Sequence, residues 1–205
     1  MSLTNTAWDI FNQSIIQYHV QDHVDAPEQN PFPEGSLERL LYSKNWIDTV
    51  QWHLEDIIRD ENISPEEALL IKRRIDASNQ KRTDLVEYID SYFFEKYKDI
   101  PAQADAKLNT ETPAWAVDRL SILALKIYHM SLEANRETAT PEHRKKCAAK
   151  LAVLQEQHKD LSSAIEQLLS DIGNGSVIMK TYKQMKMYND ESLNPILYQK
   201  KCENG

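Results

Sequence analysis

Glycine is almost absent from the middle of this chain. The four glycines are Gly35, Gly173, Gly175 and Gly205, and none falls between Ser36 and Asp171. Tight β-hairpin turns and phosphate-cradling loops both need glycine, for its access to positive φ and its missing side chain. Hairpin architectures, Rossmann fingerprints and Walker loops are therefore excluded from the body of the protein. Proline marks where the remaining option begins. Ser64-Pro65-Glu66-Glu67, Thr112-Pro113 and Thr140-Pro141 each place a capping hydroxyl before a proline. A hydroxyl at the N-cap followed by proline at the first helical position is a helix start, and Glu67 completes a capping box.

Five helices follow from these signals. The first runs from about Thr4 to Val24, with Trp8, Phe11, Ile15, and Tyr18 or His19 on one face. Pro27 and the turn-rich Asn30-Pro31-Phe32-Pro33-Glu34-Gly35 end it. The second is capped by Ser36 and runs to about Asp60, with a stripe at Trp46, Val50, His53 and Ile57. The third runs from the Ser64 cap to Tyr97, the fourth from Thr112 to about Asn135, and the fifth from Thr140 to about Ile172. In the fifth, Cys147, Leu151, Leu154, His158, Leu161, Ile165, Leu168 and Ile172 alternate steps of four and three, the seam of helices packed side by side. Short links between helices two and three, and between four and five, make those pairs antiparallel. The expected fold is all-α: an elongated antiparallel bundle of four to five long helices. Residues 1–175 form the bundle, and residues 176–205 an arm packed on it.

Composition narrows the function classes. The net charge is −8, with 41% hydrophobic and 27% charged residues. An acidic globular chain has no general attraction for nucleic acid or anionic lipid. No run is long and apolar enough to span a membrane, and residues 1–11 lack the pattern of a secretory leader, so a cytoplasmic location is expected. Cys147 and Cys202 have no metal-ligand spacing and are read as free thiols.

The chemistry-bearing residues are polar groups on apolar stripes. Arg82 interrupts the stripe of helix three and requires a carboxylate or a bound anion, because a buried guanidinium is costly unless paired. The candidate polar cluster is His53, Glu55, Asp56, Asn79, Arg82, Asp118 and His129, with Arg82 expected to pair with Glu55 or Asp56. Either this cluster binds a ligand, or it is a structural network that fixes helix register. His158 is read as a core histidine, and His143 as exposed in its first turn. Ferritin-like di-iron chemistry fails, since no histidine has glutamate three residues before it. His19-x-x-Asp22, His53-x-x-Asp56 and His19–His23 place pairs of ligand types on one helix face. A magnesium site would use Glu55 and Asp56 on helix two with Glu87 and Asp90 on helix three, in the manner of all-helical nucleotide pyrophosphatases. Cys147 has no neighbouring base in the linear sequence, so nucleophilic catalysis has no support.

The block Lys44-Asn45-Trp46-Ile47-Asp48-Thr49-Val50-Gln51-Trp52-His53-Leu54-Glu55-Asp56-Ile57-Ile58-Arg59-Asp60 resembles the bacterial domain-of-unknown-function family 4254. Lys72 to Asp84, Asp118 to Leu123, Lys186 to Asp190 and Leu193 to Pro195 carry the same resemblance. It implies one full-length helical domain of unassigned activity. Val117 to Leu123 with Lys126-Ile127 also resembles a motif of another uncharacterised family that accompanies sugar transferases, which implies a helper role in envelope polysaccharide synthesis. The leading expectation is a binding or helper protein without catalysis. It needs no cofactor, and its partner is a small phosphorylated or sugar-nucleotide ligand or another protein, with a homodimer also open. The alternatives are a magnesium-dependent pyrophosphohydrolase on Glu55, Asp56, Glu87 and Asp90, and a purely structural interaction protein.

Overall fold

The computed structural model describes residues 2–182 and Ser192. Five helices build it: α1 (Leu3–Gln21), α2 (Leu37–Ile57), α3 (Pro65–Tyr97), α4 (Pro113–Asn135) and α5 (Pro141–Gly173). The described residues are 71% helical and form an all-α bundle. Ser2, Ser36, Ser64, Thr112 and Thr140 each cap a helix, their side chains accepting from the backbone N–H three residues on. Proline opens α3, α4 and α5 at the position where its missing N–H costs nothing. The start of α1 is also tied across the bundle: Glu166 of α5 accepts from Thr4 N–H at 2.7 Å and from Thr4 Oγ1 at 2.8 Å.

α2 lies at the centre, packed against α1, α3 and α4, while α5 lies mainly along α4. The main core joins Phe11, Ile15 and Tyr18 of α1 to Leu41, Tyr42 and Trp46 of α2, with Val86 and Phe93 of α3 and Leu120 and Leu125 of α4. A smaller apolar cluster, Leu54, Ile71 and Ile75, closes the α2–α3 end.

Two expectations are corrected here. The stripe read on α2 is rotated: Leu37, Leu41, Lys44 and Asp48 are buried, while Val50, His53 and Ile57 are only half-buried. The α5 seam is dry only at its ends, with Cys147, Ile165 and Ile172 buried and Leu151, Leu154 and Leu161 half-exposed. One element was unforeseen. Lys107–Leu108 (β1) pairs in parallel with Val177–Ile178 (β2), stitching the α3–α4 loop to the chain after α5. Gly175 permits this contact. Its φ is +78°, and a Cβ there would sit 2.3 Å from the Pro101 carbonyl oxygen. Of the expected arm, Met179 packs on the main core and Tyr182 is exposed; residues 183–191 and 193–205, with Cys202, lie outside the described residues.

Candidate functional site

Arg82 is paired, but not with Glu55 or Asp56. Its Nε faces Asp48 Oδ1 at 3.1 Å and its Nη2 donates to Asp118 Oδ2 at 2.7 Å. Behind it, Lys44 is completely buried and contacts the same two carboxylates, with Nζ 2.8 Å from Asp118 Oδ1 and in short contact with Asp48 Oδ2. Ser121 Oγ donates to Asp48 Oδ2 at 2.6 Å and accepts from Asn45 Nδ2 at 3.0 Å. Three helices thus meet on two cations and two anions with no net charge when all four are ionised. Burial pushes the Asp48 carboxyl upward, and the adjacent Lys44 and Arg82 oppose that shift.

Sequence reasoning missed Lys44, Asp48 and Ser121. The signal existed, because Leu37, Leu41, Lys44 and Asp48 repeat steps of four, three and four, the same seam that is plain on α5. Two charged residues four apart simply read as a solvated pair.

The two cations are not equivalent. Lys44 is sealed, whereas Arg82 is 27% exposed and lines two cavities. One cavity, about 390 Å³, is bounded by Asp48, Gln51, Trp52, Glu55, Asp56, Arg59 and Ile122. The other, about 650 Å³, runs between α4 and α5 past Asp118, Arg119, Lys126 and Asp160. Ile122 is common to both, so Arg82 and Ile122 mark their junction.

The remaining expected residues fall in three places. Glu55 and Asp56 stand at the rim of the first cavity, where Glu55 pairs with Arg59 at 3.1 Å. Asn79 accepts from Gln51 Nε2 at 2.9 Å and Ser78 donates to Gln51 Oε1 at 3.2 Å, locking α2 against α3. That contact also decides the magnesium arrangement. In antiparallel helices with Gln51 level with Ser78, Glu55 and Asp56 lie towards the start of α3. Glu87 and Asp90 then lie about 20 Å away along the axis, at 1.5 Å per residue. Asp90 is buried and accepts from Thr112 Oγ1 at 3.0 Å, holding the start of α4. The four carboxylates are not brought together.

His53 and His129 join His19 in a separate cluster between α1, α2 and α4. One nitrogen from each ring lies within 4.8 Å of the others, and His19 Nε2 and His53 Nε2 are 3.3 Å apart. Asp22 follows α1 in a left-handed conformation, φ 50°, which brings its Oδ1 to 4.0 Å from His19 Nε2 and 3.9 Å from His53 Nε2. Burial, then the neighbouring His19 and His53, push His129 down to about 4. Burial and His19 likewise lower His53. Trp52 stacks on His129 at 4.7 Å between ring centroids, so this one indole separates the cluster from the first cavity.

Two more histidines lie along α5, and His23 is exposed beside Asp25. His158 stacks on Trp8 at 3.6 Å, in keeping with a packing role. His143 lies 3.4 Å from Cys147 Sγ, which corrects the reading that Cys147 has no base nearby. The same Nε2 also contacts Glu133 at 2.8 Å. A base oriented by a carboxylate uses its two different nitrogens, so this is not a nucleophilic triad.

A helical bundle with a neutralised ion cluster beneath a double cavity is the class of protein defined by this geometry. The model of the family described as protein of unknown function (DUF4254) matches residues 38–181, and the chain belongs to that family. No curated protein and no solved structure matches it. The matched segment contains the whole ion cluster and both cavities, and it excludes α1 and with it His19 and Asp22.

Proposed function

We propose that the protein is a non-catalytic binding protein for a small ligand of the sugar-nucleotide class. The observation that carries this reading is Arg82, fixed by two carboxylates yet exposed where two cavities meet. A guanidinium already held in place loses little entropy when it donates to a ligand, and its planar fork suits phosphate oxygens. Around it, cationic and anionic lining groups are mixed, which suits a ligand that joins a phosphate group to a neutral, hydroxyl-rich body. Arg59 and Arg82 face Asp48, Glu55 and Asp56 in the first cavity, and Arg82, Arg119 and Lys126 face Glu111, Asp118 and Asp160 in the second. Trp52 offers an apolar ring face beside these polar groups. The volumes lie in the range that small ligands fill. A ligand of this class accords with a helper role in envelope polysaccharide synthesis.

A thermal-shift panel of nucleotide sugars, nucleotides and free sugars, with and without magnesium, tests the reading. The matching ligand near 100 times its Kd raises the wild-type midpoint by roughly 5 °C or more, without a magnesium requirement. It leaves Trp52→Ala and Arg82→Gln unshifted. Equal shifts in wild type and both variants, or turnover of the ligand in magnesium, contradict it.

A further inference from the structure

We propose that His19, His53 and His129, with Asp22, form a binding site for one divalent transition-metal ion of the zinc type. This lies outside the sugar-nucleotide reading and does not depend on it.

Each histidine comes from a different helix, and nothing in helix packing requires three imidazoles to meet. Tetrahedral zinc with nitrogen ligands at 2.0–2.1 Å places those nitrogens about 3.3 Å from one another. The His19–His53 separation is 3.3 Å. The wider separations, up to 4.8 Å, would contract by about an ångström or more around an ion. His19 is already oriented as a ligand. Its Nδ1 lies 2.7 Å from the Ile15 carbonyl oxygen, so Nδ1 carries the proton and donates, and Nε2 presents a lone pair to the cluster. A backbone carbonyl that fixes the tautomer in this way is the usual arrangement behind a metal-bound histidine. His129 contributes a buried Nε2 with no hydrogen-bond partner, a state that costs free energy in a protein interior.

The surroundings match what a metal site needs. Tyr18 stacks on His53 at 5.1 Å, Tyr128 packs on His19 at 4.6 Å, and Trp52 lies flat on His129. These rings make an apolar wall that lowers the local dielectric and fixes the imidazoles. Asp22 brings a carboxylate oxygen within 4.0 Å of His19 Nε2 and His53 Nε2, and it stands on the solvent side, 60% exposed, giving the fourth ligand and an entry path. Three nitrogens and one oxygen favour zinc or cobalt over magnesium or calcium, which prefer all-oxygen shells. Bound there, the ion would tie α1 to α2 and α4 beside the Trp52 wall of the first cavity.

The test is a cobalt(II) titration of the full-length, chelator-treated protein, read by visible absorption. One equivalent of cobalt gives the intense bands of a tetrahedral ion, and one equivalent of zinc abolishes them. His53→Ala and His129→Ala lose the bands, with far-UV circular dichroism checking that both remain helical. Asp22→Asn keeps the fold and weakens binding by about 10-fold or more. His143→Ala removes the contact with Cys147, away from the cluster, and leaves the bands unchanged. Absence of tetrahedral bands in the wild-type protein, their persistence in folded His53→Ala, or their loss in His143→Ala overturns the proposal.

Discussion

The ion cluster at Asp48 and the histidine cluster at His53 grow from the same helix, little more than a turn apart, and they solve the problem of buried polarity in different ways. At Asp48 every charge meets an opposite charge: Lys44 and Arg82 each contact both Asp48 and Asp118. At His53 the charge is avoided. Burial and mutual repulsion hold His53 and His129 neutral, and a ring nitrogen of His129 is left with no partner. The charges of the first cluster pair off within the chain, and only Arg82 keeps an exposed edge. The second gathers three imidazoles, with His19 Nε2 and His53 Nε2 at hydrogen-bond distance and His129 Nε2 buried without a partner. Self-sufficiency points to structure with one open donor, and deficiency points to something that arrives.

The sharpest way to break this contrast is to remove the sealed cation. Lys44→Met leaves Asp48 and Asp118 buried with only Arg82 between them, and we expect a loss of about 3–5 kcal/mol in urea unfolding. A loss under about 1 kcal/mol would mean the carboxylates take up protons and do not need the lysine. Arg82→Leu should cost less, about 2–3 kcal/mol, because Lys44 still holds both anions and Arg82 is partly solvated. Its larger effect should be on ligand binding, which separates the exposed cation from the sealed one.

The histidine side of the contrast predicts a pH dependence of the metal-free protein. His53, His129 and His158 are all pushed below the ordinary histidine value by burial. Below about pH 6.5 the unfolded chain therefore binds protons that the folded chain refuses, and stability falls as pH falls. The contribution is whole above about pH 6.5 and, for His129, is lost by about pH 4. His129→Phe should flatten that part of the profile, and an unchanged slope would remove His129 from the account. The smallest effects belong to the cavity rim. Glu55→Gln and Asp56→Asn should each change stability by less than about 0.5 kcal/mol, since the Glu55–Arg59 pair is open to solvent.

The two clusters also differ in how far they can be read from sequence. Helix starts are local, and the serine or threonine caps ahead of Pro65, Pro113 and Pro141 announce α3, α4 and α5 with near-exact boundaries. Arg82 declares itself because it breaks an apolar stripe, so its need for a carboxylate is legible. Its partners are not. They sit on α2 and α4, and choosing Asp48 over Glu55 requires the rotation of α2 about its axis. That rotation is hard to read because α2 is covered from several sides by α1, α3 and α4. A helix buried on most of its circumference has no single dry stripe, and the sequence around Trp46 offers two. The histidine cluster is a long-range event: its three residues come from three helices, and Asp22 reaches it only through a left-handed turn at the end of α1.

The central claim is that two neighbouring clusters of one helix hold opposite states, ions in one and neutral imidazoles in the other. Long-range nitrogen–proton NMR of the histidine rings in metal-free protein, followed from pH 7.5 to 4, reads the imidazole side of that contrast directly. The account predicts His19 with its proton on Nδ1 at neutral pH, and a His129 ring that stays neutral until the pH nears 4. A His129 ring that takes up its proton near pH 6.5 would contradict it.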